Sequence, residues 1–346
     1  MRAIAVIKSE SARRRRPSTL PRLGFAGTGW IGLHRMQAVQ DSGLAEIVAI
    51  GEPDPACAAS AQAVAAQADV FRDFEQLLEC ELEGIVIATP SALHAAQAQA
   101  ALARRIPVFC QKPLSRTAAE AASVVRAARA ADRLLAVDLS YRHVAGVSRM
   151  REMVQGGQIG DVFAVDATFH NAYGPDKPWF RDVRLSGGGC VIDLGTHLID
   201  LLSWILDFPV WGGVQSRLYS CGRLLDHLSR GVVEDYAVAS WVYANRIDAR
   251  VACSWNLSAG QDCVIEVNVH GSRGSLALYN VGGSFFDFVV EHRQGTSRDR
   301  IAGPPDAWGG RAIIEWVEQL SLSRRFDPQA ERLVDVARLV DAIYHR

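Results

Sequence analysis

The chain has 346 residues, 49% hydrophobic and 22% charged, which is enough for two globular domains with their own cores. Its 37 basic and 38 acidic side chains nearly cancel, which argues against an overall attraction to nucleic acid or to an anionic membrane. Seven cysteines, an odd number without CxxC spacing, argue against a disulfide framework and favour a reducing cytoplasm. The longest apolar run, 198–206, is interrupted by Asp200 and Ser203, so we expect no membrane span.

Residues 1–20 predict a flexible basic tail because Arg13 to Arg16 form a run of four arginines. A twin-arginine export signal is the alternative interpretation. However, the next apolar segment begins at Leu23 and already belongs to the first predicted strand, so it cannot also be a cleavable signal core. We therefore favour a solvated tail over export or nucleic-acid contact.

A glycine turn follows the first apolar run. Residues 23–32 read LGFAGTGWIG, which predicts a buried strand, a tight turn and a helix start. The G-x-G-x-x-G spacing provides a tight turn, close approach of phosphates and close helix–strand packing, and the helix N-terminus attracts an anion. The motif predicts a dinucleotide site that includes Gly27, Thr28, Gly29, Trp30, Ile31 and Gly32.

The context of this turn favours a dinucleotide site over a glycine turn in some other α/β protein. A second apolar run ends at Glu52, about 20 positions after Gly32, where a carboxylate can accept hydrogen bonds from the adenosine ribose. No Arg or Lys occurs in the stretch 51–54 to hold a 2′-phosphate. The sequence therefore predicts NAD, with NADP as the alternative cofactor.

Residues 21–143 alternate short apolar runs with Ala-rich helical stretches, which predicts βαβ units and a doubly wound parallel (Rossmann) sheet. The predicted strands are 22–26, 47–51, 84–88, 108–111 and 134–139 with a short one near Val70, and the predicted helices are 30–41, 55–67, 74–79, 91–104 and 117–131. Ligands lie beyond the carboxyl ends of such strands, which directs attention to 89–90 and 111–113.

Residues 144–346 predict a second α/β domain with a large, mainly antiparallel open sheet. A helix after Val144 is followed by predicted strands 162–169, 210–219, 236–243, 248–257, 263–270, 275–279 and 285–292, with turns at 244–246 and 271–274. We expect a helix over 190–206 to cover one face and a homodimer or homotetramer contact to cover the other. Helices are also predicted over 312–322 and 328–344.

Two stretches carry candidate chemistry. In GGGCVIDLGTH, 187–197, Asp193 and His197 are four residues apart, so on a helix they share a face and can form an acid/base pair. Alone, an Asp and a His on a helix are more often surface or capping residues. Lys112 follows a strand of the first domain, where its ammonium can hydrogen-bond a substrate oxygen.

As a set, these motifs resemble the Gfo/Idh/MocA oxidoreductase family from Leu23 to the last helix. The matching motifs are GTGWIG at 27–32, the acidic end of the second strand, ATPSALH at 88–94, QKPL at 111–114, Tyr141-Arg142, and GGGCVIDLGTH at 187–197. The resemblance implies a Rossmann domain, a C-terminal sheet that makes oligomer contacts, and NAD(P)-dependent oxidation or reduction of a sugar, cyclitol or related polyol.

The resemblance also implies roles for individual residues. Lys112 would be the active-site lysine, Asp193 a substrate-binding or orienting carboxylate, and His197 the proton acceptor. Gln111 departs from the family's usual Glu, and the missing carboxylate should leave Lys112 with less support for its charged form. Cofactor contacts extend to Thr89, Pro90, His94, Gln111 and Lys112, and loop candidates for substrate contact are Tyr141, Arg142, Asn171, Tyr173, Trp179 and Arg181.

Two alternatives stay open. The altered Gln111 is compatible with a regulatory protein or an NAD-dependent glycosidase that binds sugar and nucleotide on this fold without net redox turnover. A zinc site could form if Cys190, Asp193 and His197 shared one helical face. A fourth ligand would have to come from elsewhere, and no other Cys/His cluster has metal spacing, so we predict no metal.

Overall fold

The protein is described by a computed structural model that covers residues 20–226, 231–244 and 246–346. The predicted N-terminal tail, apart from Leu20, lies outside the described residues. So does Asn245 of the turn predicted at 244–246.

The first domain contains a six-stranded parallel sheet in the order β3-β2-β1-β4-β5-β6, which confirms the predicted doubly wound fold. The strands are β1 Arg22–Ala26, β2 Glu46–Gly51, β3 Asp69–Phe71, β4 Gly84–Ile87, β5 Val108–Cys110 and β6 Leu135–Val137. The helices are α1 Trp30–Ser42, α2 Pro55–Val64, α3 Phe74–Leu77, α4 Ser91–Ala103 and α5 Ala118–Ala131. The strand order reverses between β1 and β4, which opens a crevice for a ligand beyond their carboxyl ends.

A nine-stranded sheet forms the second domain, in the order β15-β14-β13-β12-β7-β11-β10-β8-β9. Its strands are β7 Val162–Asn171, β8 Trp211–Ser220, β9 Arg223–Leu224, β10 Tyr236–Tyr243, β11 Ile247–Ser254, β12 Cys263–Gly271, β13 Gly274–Asn280, β14 Phe288–Gln294 and β15 Ser297–Ala302. Among the strand pairs described in this second sheet, β7–β11 is parallel and the others are antiparallel, which agrees with the predicted, mainly antiparallel sheet. The edge strands β9 and β15 escaped prediction because they are mostly exposed and lack apolar alternation.

The remaining helical segments lie between and after these strands. They are a 3-10 turn Ser140–His143, α6 Val147–Gln155, a 3-10 turn Pro178–Arg181, α7 Val183–Ser186, a π-helical turn Val191–Gly195, α8 Thr196–Ile205, α9 Arg311–Leu322, a 3-10 turn Pro328–Glu331, and α10 Arg332–Ile343.

The helix predicted over 190–206 is the central cover of the second sheet. It begins as the π-helical turn and continues as α8, whose apolar side chains pack with those of β10 and β11 in one core. Within the described residues, the helical stretch Val183–Ile205 is long and apolar enough to cross a membrane. This stretch is longer than the apolar run 198–206 on which the expectation of no membrane span is based. Most of it is buried inside the protein, where its apolar surface covers the sheet.

The two late helices connect the domains. Side chains of α9 join the core of the first sheet, where Trp316 packs against Phe109 with ring centroids 5.6 Å apart. Helix α10 packs against both α5 and α8. The last part of the chain therefore holds the second domain against the first.

A buried carboxylate anchors the glycine turn that precedes the π-helical turn. Glu234 accepts hydrogen bonds from the backbone N–H groups of Gly189 (2.9 Å) and Val191 (3.0 Å) and from the Tyr344 hydroxyl (2.7 Å). A Cβ on Gly189 would lie 1.9 Å from the Glu234 carbonyl oxygen, and one on Gly188 would lie 2.1 Å from the Tyr344 oxygen. Glycine is therefore required at both positions by the close approach of these neighbours.

We expect Glu234→Ala to lower the free energy of unfolding by about 3 kcal/mol, because three buried donors would lose their acceptor. Urea unfolding followed by tryptophan fluorescence measures this loss. Glu81→Ala, at a side chain that is 91% exposed, is the matched control and should change stability by less than about 0.5 kcal/mol. An equal effect of the two substitutions would contradict the anchoring role of Glu234.

Candidate active site

A cleft of about 1210 Å³ lies between the two domains, beyond the carboxyl ends of the first sheet. The first domain contributes the glycine turn and the segments after β4, β5 and β6. The second contributes the π-helical turn, the end of β11 and the segment between β7 and α7. The cleft is therefore open to a ligand that touches both domains.

The glycine turn has the geometry of a dinucleotide phosphate site. Gly27 has a φ of +83°, and a Cβ there would lie 2.7 Å from the Ala88 carbonyl oxygen. A Cβ on Gly32 would lie 2.2 Å from the Gly27 oxygen, whereas one on Gly29 would meet no described atom within 4 Å. These observations match the tight turn, the close helix packing and the free approach to the backbone that a pyrophosphate requires, so the residues present fit NAD.

Lys112 and Asp193 bring the two domains together in the cleft. The Lys112 ammonium donates to Asp193 Oδ1 at 2.7 Å and to the Asp193 carbonyl oxygen at 2.8 Å. The Trp255 indole N–H donates to Asp193 Oδ2 at 3.1 Å. The acid/base pair expected between Asp193 and His197 is therefore not formed, because the carboxylate instead binds a cation and an indole.

His197 lines the same cleft as a partly buried, neutral base. Its ring packs against Tyr141 with centroids 4.8 Å apart, and Nδ1 has no hydrogen-bond partner among the described residues. Burial, then the charges of Lys112 and Arg35, hold the pKa of His197 well below its usual value. A neutral imidazole at neutral pH can accept a proton from a ligand.

Comparisons with known families agree with this architecture. Residues 22–139 match a family described as an oxidoreductase family with an NAD-binding Rossmann fold, and residues 147–277 match the GFO/IDH/MocA C-terminal domain. The chain belongs to the Gfo/Idh/MocA family of oxidoreductases.

Individual relatives of this family are moderately similar to the chain. The rhizopine catabolism protein MocA of Rhizobium meliloti is 29% identical over 53% of this chain and 56% of its own length. An inositol 2-dehydrogenase of Acidiphilium cryptum is 31% identical over 54% of each chain. The match thus spans about half the length of these curated relatives.

A solved levoglucosan dehydrogenase, in complex with NADH and L-sorbose, is 21% identical and has a TM-score of 0.78 over 94% of this chain and 96% of its own. At this identity the likeness shows a shared fold.

Glu52, the predicted ribose acceptor, lines the cleft just after β2. Its carboxylate accepts from the Thr28 N–H (2.7 Å), the Thr28 hydroxyl (3.1 Å) and the Asp54 N–H (3.0 Å). Thr28 therefore holds the Glu52 carboxylate by two hydrogen bonds and does not line the cleft. Gly32 does not line the cleft either. Trp30, 73% exposed, and Ile31 do line it.

Sequence reasoning missed Arg72 at this end of the cleft. The Glu52 N–H donates to the Phe71 carbonyl oxygen at 2.9 Å, so Arg72, which follows β3, lines the cleft together with Glu52. A search for basic residues within 51–54 could not find it, because the pairing of β2 with β3 brings it there.

His94 connects two loops beneath the cofactor site. Its ring nitrogens lie 2.6 Å from the Thr89 carbonyl oxygen and 2.7 Å from the Pro113 carbonyl oxygen, and burial lowers the pKa of His94. A neutral imidazole has a single N–H and can donate to only one of these two carbonyl oxygens. The side chain lies against both and so forms a clip between the loops after β4 and β5. Thr89, Pro90 and Gln111 line the cleft.

The predicted substrate residues separate into two groups. Tyr141, Asn171, Tyr173 and Trp179 line the cleft, whereas Arg142 and Arg181 do not. The Arg142 guanidinium donates to Asp200 Oδ2 at 2.8 Å and lies over the rings of Trp204 and Phe208. The buried Asp200 carboxylate requires this cation, so Arg142 is held by Asp200 and is not part of the cleft wall.

The residues of the alternative zinc site do not converge. Cys190 Sγ contacts Cys253 Sγ at 3.8 Å, whereas Asp193 binds Lys112 and Trp255. Across 20–226, 231–244 and 246–346, no group of three or more His, Cys, Asp or Glu residues has the arrangement of a metal site.

We expect the free energy of unfolding to fall as the pH is lowered from about 7.5 to 5.5. Since the pKa of His197 is lowered in the folded protein, the unfolded chain takes up a proton below pH about 6.5 that the folded chain does not. Each such histidine contributes up to about 1.4 kcal/mol per pH unit.

Urea titrations at several pH values measure this slope, which should be smaller in His197→Gln. His345→Gln, at an exposed histidine outside the cleft, is the control and should keep the wild-type slope. Equal slopes in the wild type and His197→Gln would show that His197 is not held neutral.

Proposed function

We propose that this protein is an NAD(P)-dependent oxidoreductase acting on a secondary alcohol or ketone of a sugar, cyclitol or related polyol. The observation that carries the proposal is the 2.7 Å contact between Lys112 and Asp193, beside His197 in the cleft that also holds the glycine turn. An ammonium, a carboxylate and a neutral imidazole from two domains thus face one volume next to a dinucleotide site.

The chain's own residues can handle the proton and orient the substrate. When bound, the nicotinamide supplies hydride exchange with the reacting carbon. His197 accepts the hydroxyl proton during oxidation and returns it during reduction. Lys112 hydrogen-bonds the same oxygen and stabilises its developing negative charge, while Asp193 holds the ammonium in place. Asn171 and the rings of Tyr141 and Trp179 offer polar and apolar contacts to a polyol.

The names of the relatives support this substrate class. They include an inositol 2-dehydrogenase and a levoglucosan dehydrogenase solved with NADH and L-sorbose. A cyclic polyol or sugar of similar size would fit a cleft of about 1210 Å³ together with a dinucleotide.

For the cofactor, we propose a preference for NAD over NADP. The Glu52 carboxylate would repel a 2′-phosphate, and its Oε1 accepts one bond from the protein, which leaves it able to accept another from a ribose hydroxyl. Arg72 is the opposing feature, since a cation at the same end of the cleft would attract that phosphate. Binding constants for NAD and NADP measured side by side test the preference, and tighter binding of NADP would contradict it.

We also propose a homodimer or homotetramer in a reducing cytoplasm. The face of the second sheet away from α8 carries half-buried apolar side chains, including Val238, Val242 and Val264. All seven cysteines are free thiols, which fits a reducing compartment. Sedimentation velocity tests the assembly, and a monomer at micromolar concentration would exclude it.

Lys112→Met and His197→Gln should each reduce turnover by about 100- to 10,000-fold while NAD binding changes little, because each removes a group that acts on the reacting oxygen. Formation of NADH, measured by its absorbance with a panel of cyclic polyols and sugars, follows turnover. His345→Gln serves as the matched histidine control.

Full turnover in either cleft variant would refute the assigned roles. If the wild-type protein binds NAD but forms no NADH with any polyol, chromogenic glycosides test hydrolysis. Release of the chromophore would then favour the glycosidase alternative, and ligand binding without either reaction would favour a regulatory role.

A further inference from the structure

A buried polar cluster lies next to Lys112, and the mechanism above uses none of its hydrogen bonds. Arg35 Nε donates to Asp138 Oδ2 at 2.6 Å, and these side chains are 6% and 1% exposed. Gln111 Nε2 donates to the same Asp138 oxygen. Gln111 follows β5 and Asp138 follows β6, so adjacent strands bring the two together. All three residues line the cleft.

The chemistry of this cluster determines which way the Gln111 amide points. An ionised carboxylate can only accept hydrogen bonds, so Asp138 binds the NH₂ group of Gln111 and not its carbonyl oxygen. Arg35 supplies the opposite charge that a buried carboxylate needs. The Arg35 guanidinium also contacts His34 Nδ1 at 2.9 Å, which fixes the cation from a second side. Asp138 Oδ1 has no partner among the described residues, so pairing with Arg35 and Gln111 uses one of its two oxygens.

We propose that Asp138, held by Arg35, is a positioning residue that turns Gln111 Oε1 towards the nicotinamide half of the cofactor. Oε1 then accepts a hydrogen bond from a ribose hydroxyl there. This inference rests on the cofactor site of the proposed function. The location follows from the fold, because Gln111 adjoins Lys112 after β5, whereas Glu52 and Arg72 follow β2 and β3, on the other side of β1 and β4 in the sheet.

The cluster also explains why position 111 carries an amide. A Glu at 111 would place two carboxylates together with Arg35 as the balancing cation, and like charges at this distance are unfavourable when buried. With Asp138 present, the Gln111 amide supplies both an N–H group that donates to Asp138 and an oxygen that can accept a hydrogen bond from a ligand in the cleft.

Binding of NAD and of ADP to the full-length protein, measured by calorimetry, tests the inference without requiring turnover. ADP lacks the nicotinamide ribose, so it reports the adenosine end alone. In Asp138→Asn, the new amide can donate to Gln111 Oε1 and turn it inward. We expect NAD binding to weaken about three- to tenfold, the equivalent of one hydrogen bond, and ADP binding to stay within about twofold.

Two further variants keep the test decisive. Asp138→Asn alone leaves Arg35 buried without its counter-ion, so the double variant Arg35→Gln/Asp138→Asn removes both charges together. It should show the same selective loss of NAD affinity.

Gln111→Glu/Asp138→Asn moves the carboxylate to position 111 beside Arg35. Because either carboxylate oxygen can accept a bond, we expect it to restore NAD binding to within about twofold of the wild type.

An unchanged ratio of NAD to ADP affinity in the first two variants would overturn the inference. So would equal losses for both ligands, which indicate a purely structural role, or a failure of Gln111→Glu/Asp138→Asn to restore NAD binding while ADP still binds. Wild-type protein that does not bind NAD would instead refute the proposed function itself. The two failures are therefore distinguishable.

Discussion

The ion pair between Lys112 and Asp193 is the contact on which the cleft chemistry depends. The lysine leaves a strand of the first domain and the carboxylate belongs to the π-helical turn of the second, so their 2.7 Å contact joins the domains at one point. Both side chains are partly exposed, and such pairs add little to stability. The importance of the pair lies in position, because it places an ammonium beside His197 and helps to keep that imidazole neutral.

Each end of this ion pair is held by a buried backbone clip. On the lysine side, His94 contacts the Pro113 carbonyl oxygen, one residue after Lys112. On the carboxylate side, Glu234 accepts from Gly189 and Val191, just before Asp193. The His94 and Glu234 side chains are both buried, and they hold the segments from which the two charged groups reach the cleft. A site built on such supports keeps its geometry while ligands enter and leave.

Much of the architecture could be predicted from the sequence because it depends on neighbouring residues. The bounds of β1 and β10 agree with prediction to the residue, since apolar runs, alternation and turn residues are local signals. The glycine turn could be assigned for the same reason. The polar edge strands β9 and β15 carry no such signal, and their pairing with a neighbour decides that they are strands.

The amino-acid sequence by itself determined the two-domain α/β fold, the dinucleotide turn and the identity of the charged residues in the cleft. Only the tertiary structure decided their surroundings: Asp193 binds Lys112 rather than His197, Arg142 binds Asp200, and the pairing of Glu52 with Phe71 brings Arg72 to the cleft. The physical reason is that local conformation depends on residues a few positions apart. Ion pairs and hydrogen bonds depend on distances between atoms that are far apart along the chain, and folding sets those distances.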